Sequence, residues 1–227
     1  MPEWFFFAFN AQTVAKAMLE PAQQAVRKRD LPAWQRIFDL LKRTHYPPHV
    51  SLTGHYSPLD YNLVDGCVAP KLAISRDRIP DETDFGLRRT LQTFVEFVSP
   101  FRIASRRTRV RTAVMDPGRW EKSLISQEDR EEMQLFRDEI IVRRKKLPDP
   151  FWCLESNEAA DCNYASPETV ARMAEVESTV GLFRRLARRT DLDEDLHSLT
   201  HDLAAAGLFI ELAASCGYAL YFREDGT

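Results

Sequence analysis

Glycine is scarce in this sequence, with only eight among 227 residues. None of the eight forms the glycine-rich loop of P-loop or dinucleotide-binding proteins, in which backbone amides cradle phosphate groups. The G-x-S-x-G turn that carries the nucleophile of α/β-hydrolases is also missing. The sequence therefore gives no support to the common nucleotide-binding and serine-hydrolase functions.

Cysteine is also rare, and its four positions show neither a C-x-x-C pair nor a zinc-ribbon spacing. So few cysteines in a chain of this length do not make a disulfide framework. We expect a reducing compartment in which most thiols are buried, and we place Cys153 and Cys216 in the core.

Long apolar runs are missing as well, since no stretch approaches the roughly 20 residues of a membrane-spanning helix. The apolar run Trp4–Phe9 is short and follows Glu3 rather than the basic residues of a signal peptide. We therefore expect a cytoplasmic protein with no membrane partner.

The net charge of −3 is small but unevenly distributed. Residues 1–150 carry 25 Lys and Arg against 20 Asp and Glu, whereas residues 151–227 carry 6 against 14, a net charge of −8. The overall negative charge argues against a nucleic-acid partner. The acidic C-terminal third is either balanced within the fold or attracts a basic partner by long-range electrostatics.

Apolar residues recur at helical spacing over much of the chain. Asn10 is placed to cap a helix that begins at Ala11, and Pro21 is expected to break or kink it, which gives two short helices. The spacing predicts further helices at about 32–42, 83–98, 126–146, 167–189 and 193–215. Ser166 and Gly217 are of the types that cap a helix at its beginning and at its end.

Both ends of the chain favour strands instead. The aromatic run Trp4–Phe9 and the final Y-A-L-Y-F segment predict a strand each, and Thr108–Met115 predicts another. Because the termini of a domain often lie close together, we expect the first and last strands to pair in one small sheet. The prediction is a mainly α (α+β) fold in a single domain that spans residues 1–227.

Two long connections interrupt this pattern, at about residues 44–81 and 148–166. The first holds five prolines and two glycines, with a short strand or helix expected only near Leu72–Ser75. Ordered loops of this length are uncommon and often functional.

The five histidines fall in two clusters, one in the first loop and one in a predicted helix: His45, His49, His55, His197 and His201. His197 and His201 are four residues apart and would share one helix face. With one loop histidine they would complete the three-ligand zinc site of a metal-dependent hydrolase. Ser198 replaces the glutamate of zincin-type motifs, so we rank this hypothesis below a protein that needs no cofactor.

Five arginines lie between Arg102 and Arg111, and Arg107, Arg109 and Arg111 would share one face of a strand. Guanidinium groups suit phosphate and carboxylate partners, which indicates an anion-binding or nucleic-acid-binding module. The aromatic residues that stack on bases are missing from this segment. We expect the cluster to be solvated or paired internally with acidic residues.

The leading hypothesis is a non-catalytic module that binds another protein, one that is basic. Bacterial immunity proteins, which inhibit a cognate toxin, share this general character of an acidic surface and few motifs. The contact surface is expected to combine acidic residues with two aromatic anchors. These residues are Asp191, Asp193, Glu194, Asp195, Asp202, Trp152 and Tyr164.

Overall fold

Helices dominate the computed structural model of the chain, and its strands are short. The structure describes residues 3–44, 62–64, 67–69, 74–81, 84–105, 149–154, 164–175 and 207–225, with single residues at 127, 131, 147, 181, 188 and 205. The helices are α1 (Ala11–Val14), α2 (Glu20–Lys28), α3 (Leu31–Thr44), α4 (Asp84–Val98), α5 (Pro167–Glu175) and a C-terminal helix over 207–215. The strands are β1 (Glu3–Phe9), β2 (Asn62–Val64), β3 (Cys67–Ala69), β4 (Ile74–Ser75), β5 (Phe101–Ser105), β6 (Tyr164–Ala165) and β7 (Ala219–Asp225).

A four-stranded sheet joins the two ends of the chain in the order β5-β1-β7-β6, with every pair antiparallel. Successive side chains of a strand point to opposite faces, so Phe5, Phe7 and Phe9 share one face of β1, and all three are buried. Opposite Phe7 lies Tyr221, whose ring is 5.9 Å away between centroids. The predicted mainly α fold with a sheet formed by the first and last strands is confirmed.

The helical core lies against this aromatic face of the sheet. Trp34 and Phe38 of α3 meet Phe94 of α4, with the three ring centroids 5.5 to 5.7 Å apart. All three rings are at most 1 % exposed. The apolar faces predicted for these two helices are therefore confirmed, and α4 is buried on every side from Thr90 to Ser99.

Of the break or kink predicted at Pro21, the break is wrong, because the helical backbone continues through this residue. Asn10 caps α1 as predicted, accepting a 2.9 Å hydrogen bond from the amide of Thr13. Between α1 and α2 the residues Ala15–Leu19 form a π-helical segment. Proline has no amide hydrogen and crowds the preceding turn, and a wider turn there accommodates it without ending the helix.

A tight connection links α2 to α3. Arg29 adopts a left-handed backbone conformation with φ of 52°. The amide of Asp30 donates to the carbonyl of Ala25, and the Asp30 carboxylate then accepts from the amide of Ala33 to cap α3. Asp30 therefore takes part in the end of α2 through its amide and in the beginning of α3 through its carboxylate.

The long first loop contains more regular structure than its prolines and glycines predict. β4 at Ile74–Ser75 confirms the short element expected there, whereas β2 and β3 were not predicted. The three strands form a separate small sheet. Its β4 is held to the core because the indole of Trp34 donates a 3.0 Å hydrogen bond to the carbonyl of Ser75.

The other predicted elements are confirmed in part. β5 lies just before the predicted strand Thr108–Met115, which falls outside the described residues. Gln127 and Glu131 of the predicted helix 126–146 are helical. Ser166 caps α5, accepting a 3.2 Å hydrogen bond from the amide of Thr169.

Replacing Arg29 by glycine is expected to raise the free energy of unfolding by about 0.5–1 kcal/mol. Glycine adopts the left-handed conformation without the clash of a Cβ atom, and this gain exceeds its larger entropy in the unfolded chain. The ion pair lost with Asp81 is exposed, at 3.9 Å, and contributes little. Urea denaturation measures the change.

Lys28→Gly is the matched control, since Lys28 is the exposed last residue of α2. The same substitution in a right-handed conformation is expected to lower stability by about 0.5–1 kcal/mol. Equal destabilisation by both variants would show that Arg29 is not strained.

Candidate functional site

The second long connection is fixed to the core by two buried glutamines. Gln23 of α2 donates a 3.0 Å hydrogen bond to the carbonyl of Pro150, and Gln92 of α4 donates a 2.8 Å hydrogen bond to the carbonyl of Cys153. Both glutamines are less than 10 % exposed. Because buried amides and carbonyls need partners, these bonds fix the short 3₁₀ helix Phe151–Leu154 between two helices.

Tyr164, predicted as a partner-binding anchor, lies in a cluster of three rings. It stacks on Phe151 with centroids 4.8 Å apart and meets Phe9 at 6.3 Å. Its side chain is half-buried. The cluster joins β6 to the 3₁₀ helix and to β1, so Tyr164 contributes to the fold whether or not it also contacts a partner.

Trp152, the second predicted anchor, is half-buried at the edge of the same 3₁₀ helix. The guanidinium carbon of Arg88 lies 5.5 Å from the centre of its indole ring, which is a cation–π distance. The ring is therefore partly covered by a cationic side chain of α4. Its role in partner binding stays a prediction.

Cys153 is buried, as predicted, and has no chemical access to solvent. Burial raises the pKa of its thiol from 9.0 to about 12, against smaller lowering effects of a backbone hydrogen bond and of the Arg88 charge. A thiol that is protonated and enclosed at neutral pH is a poor nucleophile.

The C-terminal helix buries its inner side and exposes two leucines on its outer side. Its inner residues Phe209, Ile210 and Ala213 are at most 6 % exposed. On the outer side Leu208 is 46 % and Leu212 is 39 % exposed. Among the described residues, these two are the large apolar side chains that are exposed to solvent. Four residues apart, they lie on one face of the helix.

The predicted burial of Cys216 is wrong, because this residue is exposed at the end of the same helix. Gly217 follows with φ of 64°, and the amide of Tyr218 donates to the carbonyl of Ala213. This is the C-terminal cap expected at Gly217. The sequence prediction placed Cys216 in the core because it lies near the end of an apolar helix, although a helix that ends in a surface cap exposes its last residues.

Three buried hydroxyls in α4 and directly after it are satisfied by the backbone of the helix itself. The hydroxyls of Thr90, Thr93 and Ser99 each donate to the carbonyl four residues earlier in the chain, at 2.7 to 2.9 Å. Such bonds let a polar residue be buried at little cost. They explain how these three hydroxyls are buried without a ligand.

The remaining predicted site residues fall outside the described residues. They are His45, His49, His55, His197 and His201, then Arg107, Arg109 and Arg111, then Asp191, Asp193, Glu194, Asp195 and Asp202. Zinc binding, anion binding and the acidic contact surface therefore stay predictions. Among the residues that the structure does describe, no three His, Cys, Asp or Glu side chains converge on a common point.

The sequence had no signal for the two residues that organise this region. Gln23 and Gln92 each lie in a helix, where a glutamine is normally a surface residue, and their partners are 127 and 61 residues away. Comparison with known proteins finds no matching family, no matching curated protein and no matching solved structure. In the described part of the chain, no helix has the length and apolar character needed to span a membrane.

Replacing Gln92 by methionine is expected to lower the free energy of unfolding by about 1–3 kcal/mol, because it leaves the buried carbonyl of Cys153 without its donor. Methionine keeps the length of the side chain, so the change isolates the hydrogen bond. The control is Gln35→Met, which removes an exposed 3.0 Å hydrogen bond to Asp77. We expect no measurable change there, and an equal loss at both positions would refute a special role for Gln92.

The two described thiols are expected to react very differently with iodoacetamide. At pH 8 the exposed Cys216 becomes alkylated in the folded protein, and Cys153 only after unfolding. Between pH 9 and about 12 only the unfolded chain ionises at Cys153, so its contribution to stability falls as pH rises through that window. Peptide mass spectrometry locates the label, and alkylation of native Cys153 at the rate of Cys216 would contradict the structure.

Proposed function

We propose that this protein is a cytoplasmic, non-catalytic module that binds a basic protein, in the manner of an immunity or inhibitor protein. The observation that carries the proposal is the exposed pair Leu208 and Leu212, which lies in the most acidic part of the chain. Residues 151–227 have a net charge of −8. Exposed apolar side chains and an acidic stretch of sequence are the two ingredients of the protein-binding surface that we propose.

The two ingredients act at different stages of binding. The acidic charge attracts a basic partner over distances of about 10 Å and orients it, which mainly raises the association rate. The leucines contribute only after contact, because they leave water when the partner covers them. Asp191, Asp193 and Asp195 are our candidates for the first role.

Immunity proteins illustrate the proposed function, since they bind a toxin tightly without chemistry of their own. The described thiol that is buried, Cys153, is held protonated and enclosed. The buried hydroxyls of α4 are bonded within their own helix. These groups serve packing, which supports a binding role over a catalytic one for this part of the chain.

Charge reversal in the acidic segment tests the proposal. The variant Asp191→Lys, Asp193→Lys, Asp195→Lys is expected to reduce partner recovery at least tenfold, because three attractive charges become repulsive. The measurement is a quantitative pull-down from the native cell, analysed by mass spectrometry. Circular dichroism verifies that each variant is folded.

A second triple variant provides the control at equal net charge. Glu20→Lys, Asp77→Lys and Asp81→Lys change exposed acids in the N-terminal part of the chain. This variant is expected to recover the basic partner as the wild type does. Two results would overturn the assignment of the contact surface to the acidic C-terminal segment. One is wild-type recovery of the partner by the C-terminal variant, and the other is an equal loss of recovery in both variants.

A further inference from the structure

The segment Ile74–Asp81, which we call the strap, lies against α3. It begins with β4 and precedes α4 in the chain. Five of its eight residues are polar or charged. Of the others, Ile74 is buried and Ile79 is partly buried against the core. A small apolar contact therefore combines with polar contacts to attach the strap to the helices.

One of these polar contacts reaches a fully buried side chain. The indole nitrogen of Trp34 donates a 3.0 Å hydrogen bond to the carbonyl of Ser75, while its ring packs against Phe38 and Phe94. A buried N–H group without an acceptor is costly, so the strap cannot lift slightly at Ser75 while the indole stays dry. The strap is either docked or far enough away for water to reach the indole, which makes it a two-state element.

The described ion pairs between the strap and the helices are exposed. Arg76 pairs with Asp39 of α3 at 3.4 Å, and Arg29, between α2 and α3, pairs with Asp81 at 3.9 Å. The four side chains are between 37 % and 74 % exposed. Exposed pairs contribute little each, and dissolved salt screens them. The docked state of the strap therefore loses stability as the ionic strength rises.

The larger sheet is held together independently of the strap. Its central strand β1 pairs with β5 on one side and with β7 on the other. The strap belongs instead to the separate small sheet, because β4 pairs with β3. Segments with exposed hydrogen bonds and few buried apolar side chains open at a lower free energy than the core. The strap is built like such a segment.

We propose that the strap is a salt-responsive conformational switch that undocks from α3 as a unit while the helical core and the larger sheet stay folded. The hydrogen bond from Trp34 to Ser75 is the contact that must break. Undocking exposes the indole edge of Trp34 and the side chain of Ile74 to water. This inference is independent of the proposed protein-binding function and concerns a different part of the chain.

Hydrogen exchange of the full chain, followed by nuclear magnetic resonance at constant pH, tests the inference. The indole N–H of Trp34 and the backbone amides of the strap are expected to be at least tenfold less protected than the amides of β1, because they exchange without global unfolding. Raising the NaCl concentration from about 0.05 M to about 0.5 M is expected to lower their protection about threefold further and to leave β1 unchanged.

Three variants separate the contributions to docking. Arg76→Gln removes the ion pairs of Arg76 with Asp39 and Asp77, so the protection of the Trp34 indole and its dependence on salt should both fall. The matched control is Arg43→Gln, an equal change of charge at an exposed arginine that bonds to the Asp39 carbonyl within α3. This variant should behave as the wild type. Trp34→Phe keeps an aromatic ring without the donor, and the strap amides should lose at least tenfold in protection.

Three results would overturn the inference. Protection of the Trp34 indole equal to that of the β1 amides would make the strap a fixed part of the core. Exchange of the strap amides while the indole stays as protected as β1 would show that the segment frays without breaking the Trp34 contact. Equal effects of Arg76→Gln and Arg43→Gln on the salt dependence would remove the ion pairs from the switch.

Discussion

Seven paired positions join the first strand of the chain to its last, from Glu3 opposite Asp225 to Phe9 opposite Ala219. This antiparallel pairing fixes the aromatic face of β1, against which the helical core packs. It also brings the C-terminal helix to the sheet, since only Cys216, Gly217 and Tyr218 separate that helix from β7. Both the core and the candidate contact surface therefore depend on one pair of strands that is farthest apart in sequence.

Buried hydrogen bonds then fix the second long connection, at Pro150–Leu154, to the helical core. The amides of Gln23 in α2 and Gln92 in α4 donate to carbonyls of the segment Pro150–Leu154, and the ring of Phe151 stacks on Tyr164. Buried hydrogen bonds add modest net stability, but a buried polar group without a partner is costly. These bonds therefore favour one position of the segment over others. The acidic C-terminal third thus begins at a fixed point of the core.

Local patterns in the sequence predicted local structure well. Asn10, Ser166 and Gly217 cap helices as their chemistry requires, and the apolar spacing of α3 and α4 gives their buried faces. Features that depend on distant partners were missed, since no local pattern shows that Gln92 is buried or that β2 and β3 pair. Cys216 was assigned to the core for the same reason: apolar composition does not show which side of a helix the fold covers. Most predicted site residues lie outside the described residues and stay predictions.

Hydrogen–deuterium exchange of the full-length protein, with and without its captured basic partner, tests the central claim most directly. Amides that become covered or stabilised by a partner exchange more slowly, and peptides report where this occurs. The account predicts slower exchange in the C-terminal helix at 207–215 and in the acidic segment at 191–202, with α3 and β4 unchanged. Protection confined to the first 105 residues, with unchanged exchange in the C-terminal third, would contradict it.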